Sequence, residues 1–158
     1  MKPIKLLAII ALSVLVFNCG GKKEGGESNA YAPVQESNET SESSAASMEN
    51  HPGKPLFEMH CGTCHQASGS GVPGLYPPLA ETKYVNGDVT WLVTSLTQGL
   101  QGPIEVKGEE YNNLMPAMNY LKDEEIANIL TYVRGSFGNN SGAVSTEEVS
   151  KIRAELEK

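Results

Sequence analysis

At 158 residues, with 12 Lys and Arg against 19 Asp and Glu and a formal net charge of -7, the chain has room for one folded domain and lacks the basic face that nucleic-acid binding requires. Its three cysteines all fall in the motifs described below, which leaves none for a structural disulfide.

Residues 1–18 read as an export signal. Lys2 and Lys5 make a basic start, and the stretch from Leu6 to Phe17 is apolar apart from Ser13. An apolar run of about 12 residues is too short to span a bilayer as a helix, which takes roughly 20. Val16-Phe17-Asn18-Cys19-Gly20 resembles a bacterial lipobox, with Phe17 and Asn18 in place of the usual small residues. On that reading Cys19 is the lipid attachment site, and the protein is exported and held on a bacterial membrane, facing the periplasm, without crossing it. The competing reading is a free or buried Cys19 in an ordinary signal peptide. Residues 19–50 then form a disordered linker rich in Gly, Ser, Glu and Asn; as a flexible coil it reaches about 30 Å.

The folded part spans residues 51–138 and opens with a short helix leading into Cys61-Gly62-Thr63-Cys64-His65. This is the C-x-x-C-H spacing of c-type haem attachment. On a helix, positions i, i+3 and i+4 share a face, so Cys61 and Cys64 can tether a porphyrin edge while His65 points at its iron. A zinc site would need a second Cys or His pair, and a redox dithiol would sit in alternating strands and helices; the sequence shows neither. One covalent haem c also adds apolar core to a small domain without adding chain entropy.

After a Gly-rich loop, Tyr76-Pro77-Pro78-Leu79 is stiff and extended. A helix is predicted from Asp88, its N-cap, to Gln98, with Gly99 as the stop and Val89, Leu92, Val93 and Leu96 on one face. The stretch Ile104-Glu105-Val106 with a turn at Lys107-Gly108 allows at most a small hairpin. Asp123 opens a helix ending near Arg134 or Phe137, with Ile126, Ile129, Leu130 and Val133 on one face. Residues 139–158 form a loop and an amphipathic helix, opened by a capping box at Ser145 to Glu148. Val149, Ile152 and Leu156 give it a narrow stripe, expected to pack on the domain or else to meet a partner.

The sixth coordination position of the iron decides between carrying electrons and binding small molecules. The candidates are Met115 and Met118. Pro116 biases Met115 toward an extended backbone and stiffens its loop, so Met115 is the preferred metal ligand beside His65 and Met118 the second choice, better suited to filling core. His60 adjoins the attachment turn on its proximal side, and His51 sits at the domain's edge.

Residues from about 53 to 137 resemble a class I, mono-haem cytochrome c. The resemblance rests on Gly53-Lys54-Pro55-Leu56-Phe57 before the haem motif, Gly71 through Leu79, Leu114-Met115-Pro116-Ala117, and Asp123-Glu124-Glu125-Ile126 with Tyr132-Val133. The stretch from Tyr111 to Gly138 looks especially like the cytochrome domains associated with copper nitrite reductases and respiratory enzymes, although no copper domain accompanies it. What the resemblance implies is an all-α fold wrapped round the haem, with first and last core helices crossing where Gly53 and Phe57 meet Ile129 and Tyr132, and an extra C-terminal helix. It implies a proline carbonyl on the proximal imidazole, matched by Pro77 with Pro78 as rival, and a haem-binding role for Trp91 at a propionate, for which plain core packing is the alternative. Lys122 departs from the Ser or Thr usual before the last core helix, which weakens its cap.

The resulting expectation is a membrane-tethered electron carrier with no catalytic residue. Its partners would be a donor such as a reductase or dehydrogenase and an acceptor of terminal oxidase or nitrite reductase type, with association rates that depend on salt. The alternatives are a haem-based small-ligand sensor with a labile sixth ligand, and a peroxidase, which would call for a second haem and a distal His.

Overall fold

The computed structural model describes residues 48–158, so the predicted signal, Cys19 and all but the end of the linker lie outside the described residues. Helix α1, Gly53–His60, is followed by a single helical turn, α2, Gly62–His65; then come α3, Val89–Gln98, strands β1, Ile104–Val106, and β2, Glu109–Tyr111, and helices α4, Asp123–Gly135, and α5, Thr146–Leu156. Among the described residues no helix is long and apolar enough to cross a membrane.

Helices α1 and α4 cross at Gly53, where a Cβ would overlap the Asn128 carbonyl oxygen and press on Tyr132. Glycine is what lets the two backbones approach. One turn on, Phe57 is wholly buried against Tyr132 and Phe137, with ring centroids 5.6 and 5.2 Å away. Burying a side chain of this size contributes about 1.5–3 kcal/mol, and tilted ring pairs add somewhat to that. Phe57 and Ile129 lie in the same buried core, as the helix-crossing expectation required.

Helix α3 begins where Asp88 Oδ1 accepts the Thr90 N–H at 2.8 Å and buries Leu92, Val93 and Leu96. Its buried Ser95 and Thr97 hydroxyls donate to the Trp91 and Val93 carbonyls one turn back, at 2.7 and 2.8 Å. That local bonding lets hydroxyls sit on a core face without cost in unpaired donors. At α4 the missing Ser or Thr is half compensated: a lysine side chain cannot accept, but the Lys122 N–H donates to the Glu125 carboxylate at 2.8 Å. The hairpin is as small as its sequence allowed, and positive φ at both Lys107 and Gly108 makes the tight turn that matches strand twist.

The C-terminal helix packs on the domain. Val149 and Ile152 are buried against the α3 and α4 side, and Ser145 Oγ accepts the Glu148 N–H at 3.1 Å. The connection is fastened by Val144, whose N–H and C=O both bond the Thr131 hydroxyl, at 3.0 and 3.2 Å.

Candidate haem site

The helix carrying the attachment motif breaks at Cys61, where φ is -118°. Cys64 and His65 nonetheless stay in helical register, because their N–H groups both donate to the Cys61 carbonyl, at 3.2 and 2.9 Å. The i, i+3, i+4 grouping therefore comes from one turn rather than from a continuous helix. No disulfide joins Cys61 and Cys64. Burial, reinforced by the neighbouring Cys64, pushes the Cys61 thiol up to about 12.

His65 Nδ1 lies 2.9 Å from the Pro77 carbonyl oxygen. A carbonyl only accepts, so Nδ1 carries the proton and Nε2 keeps its lone pair for a metal. Burial lowers the His65 pKa, opposed by the bond to Pro77, and favours the neutral ring a ligand needs. Pro78 lines the cleft but does not share this bond.

Two adjoining clefts open beside these residues, and Cys61, His65, Pro77, Leu100, Ile104 and Met115 border both. The larger is almost wholly apolar, walled by Phe57, Trp91, Leu92, Leu96, Ile129 and Leu130 among others, as sites for cofactors usually are. Of the three hydroxyl residues in its wall, Thr82 and Ser95 are already bonded, Thr82 Oγ1 accepting from the Val85 N–H at 3.1 Å and Ser95 donating to the Trp91 carbonyl, while Tyr84 is the third. Among the described residues no three His, Cys, Asp or Glu side chains gather as a metal site. The cleft therefore suits a large flat apolar group held by two thiols and an imidazole.

Met115 is half-buried and exchanges both backbone hydrogen bonds with Leu100, each 3.0 Å. Met118 borders only the smaller cleft, is buried, and donates its N–H to the Leu96 carbonyl at 2.8 Å. Trp91 lines the larger cleft and stacks on Tyr84, ring centroids 4.5 Å apart. The other two histidines have partners of their own, although His60 borders the smaller cleft. His51 Nδ1 accepts the Gly53 N–H at 3.0 Å, and His60 lies 3.4 Å from the Tyr120 hydroxyl, a neighbour from the methionine-bearing loop rather than from the proximal side.

Sequence patterns do not reveal three polar residues that tie distant backbone together, two of them buried and one partly so. Asn139 donates to the Leu79 and Val133 carbonyls and accepts from Glu81 N–H and the Asn86 amide, at 2.7–3.2 Å. Arg134 donates to the Val85, Gly87 and Gly142 carbonyls. Arg153 is the third. The one available signal was a charged residue, Arg134, on the otherwise apolar helix face beside Val133, which demands buried partners.

Fold and cleft together define a small helical protein that binds haem covalently and carries electrons. A family profile described as Cytochrome c matches residues 50–136, and the chain belongs to the cytochrome c family. It is an electron carrier, not an enzyme, with one covalently attached haem c. Cytochrome c-552 of Thermus thermophilus is 42% identical over 103 residues, 60% of this chain and 79% of that protein. The fructose dehydrogenase cytochrome subunit of Gluconobacter japonicus is 34% identical over 110 residues, and the cytochrome c subunit of the quinone alcohol dehydrogenase of Gluconobacter oxydans 29% over 107; the chain spans 22% of either.

Proposed function

We propose that this cytochrome is an exported carrier, lipid-anchored through Cys19 to a bacterial membrane and facing the periplasm. It would pass single electrons between a dehydrogenase or reductase and a terminal acceptor. The observation that carries the haem-ligand assignment is that His65 and Met115 border both clefts, each fixed by a backbone partner, while Met118 borders one and is tied into the core.

When bound, the haem supplies a one-electron iron couple, whose potential a His/Met ligand pair raises. Cys61 and Cys64 would tether it, and His65 Nε2 and the Met115 sulfur would ligate its iron. The Pro77 carbonyl orients His65, and the apolar walls exclude water, which limits the rearrangement that accompanies a change of charge. Tyr84 and Trp91 would offer donors to the propionates. The dehydrogenase subunits among the relatives support an enzyme partner for this chain. Leu75 and Leu114, 50% and 66% exposed beside Cys64 at the mouth of the smaller cleft, offer that partner an apolar contact.

Spectra of the holoprotein test the ligand set. A low-spin ferric iron with a sulfur charge-transfer band, and a ferrous form inert to carbon monoxide, support the carrier. A high-spin iron that takes up the gas at once would establish the sensor reading instead. Replacing Cys19 by Ala should move the protein from the membrane to the soluble fraction; retention would refute the anchor.

A further inference from the structure

The stretch that carries Met115 and Met118 is held at its far end by a residue beyond the matched region, which ends at residue 136. Arg153, on α5, donates from Nη1 to the Leu121 carbonyl and to Asp123 Oδ1, both at 2.8 Å, and from Nη2 to the Asn119 carbonyl at 3.0 Å. Between Met115 and the start of α4 the backbone has no regular secondary structure. Its own ties are few: Met118 N–H to Leu96, Leu121 N–H to the Met118 carbonyl at 3.1 Å, and the exposed Tyr120 hydroxyl, 3.4 Å from His60 Nδ1.

We propose that Arg153 is a positioning residue for the sixth iron ligand, closing the Met115-to-Leu121 segment so that the methionine stays on the cleft; this rests on Met115 being that ligand. The geometry separates this role from ordinary packing. Helix α5 is already seated by Val149, which is wholly buried, and by Ile152. The hydrogen bonds of the guanidinium, by contrast, go among the described residues to residues 119–123 alone. A rigid planar fork meeting two carbonyls and a carboxylate fixes direction as well as distance, which a lysine point charge would not. The segment is thus pinned at one end by Leu100 and at the other by Arg153. Releasing one end favours a locally opened state in which the methionine leaves the iron and the rest of the fold persists.

The test compares holoprotein variants Arg153→Ala and Val149→Ala, the second destabilising the same helix while leaving the three Arg153 bonds in place. Arg153→Ala should increase the rate at which the ferrous protein binds carbon monoxide by about tenfold or more, the change in an opening equilibrium that losing one charge-assisted hydrogen bond produces. On warming, its ferric sulfur band should fade well below global unfolding. In Val149→Ala the band should persist until the protein unfolds, even if it unfolds earlier. Equal carbon monoxide inertness in wild type and Arg153→Ala, or identical behaviour of the two variants, would overturn the assignment of Arg153 alone. A wild-type ferrous protein that binds the gas at once would overturn Met115 ligation, and the role of Arg153 with it.

Discussion

Leu100 and Met115 face each other as an isolated antiparallel pair, each donating its N–H to the other's carbonyl at 3.0 Å. The pair joins the end of α3 to the methionine-bearing loop. It is possible because the residue before Leu100 is Gly99, with φ 76°, whose missing Cβ leaves room for the Met115 carbonyl oxygen, 2.5 Å from where that Cβ would stand.

Gly99→Ala should therefore act on the iron site as well as on stability. The new methyl meets both a disfavoured φ and the Met115 carbonyl, for an expected loss of about 2–3 kcal/mol in denaturant unfolding of the holoprotein. The sulfur charge-transfer band should weaken in the same variant. Unchanged stability would mean that the loop shifts freely.

Replacing Met115 by Leu should abolish the sulfur band, whereas Met118→Leu should keep it and cost only a modest repacking penalty of less than about 1.5 kcal/mol. Absorption spectra of the two ferric variants decide the matter. The opposite pattern would make Met118 the ligand.

His51 predicts a pH effect at the start of α1. Burial lowers its pKa, and its Nδ1 accepts the Gly53 N–H. A protonated ring would lose that acceptor and set a positive charge at a helix N-terminus. The folded-state pKa lies below the unfolded value, so this contribution is present above about pH 6.5 and is lost as pH falls through the lowered pKa. Exposure keeps it below about 1 kcal/mol. Between pH 7 and 5, wild type should lose slightly more stability than His51→Ala; parallel curves would rule the effect out.

Asn139 tests the wall beyond Pro77. Its side chain serves four partners while only 6% exposed. Asn139→Ala leaves several of them unpaired, and urea unfolding should show a loss of about 2–3 kcal/mol. A loss under about 0.5 kcal/mol would indicate that water replaces the amide.

The apolar rim qualifies the salt dependence expected from net charge. Met59, Leu75, Leu114 and Tyr120 are exposed large hydrophobics, and Leu75 and Leu114 border the cleft mouth. Acidic surface can still steer a partner at long range, while the final contact at that mouth would be apolar.

What the sequence determined by itself is what depends on short separations. Cys61, Cys64 and His65 are a turn apart; Asp88 and Ser145 cap helices within three residues; Lys107-Gly108 makes its own turn. Apolar periodicity likewise marked the buried faces of α3 and α4, because 3.6-residue spacing is a local property. The preference for Met115 came from its neighbour Pro116, but placing it on the cleft with His65 took Leu100 and Gly99, which fold back onto it. The Pro77 bond to His65 came from family resemblance rather than from local pattern, since Pro77 and Pro78 read alike until the backbone directs one carbonyl at the ring. Asn139, Arg134 and Arg153 were not legible as structural residues. Each bonds backbone carbonyls, several of them 30 to 60 residues away, and a carbonyl has no residue identity by which a sequence could announce it. Only the tertiary structure brings those acceptors together, because burial forces each polar group to find whatever partner the packed chain presents.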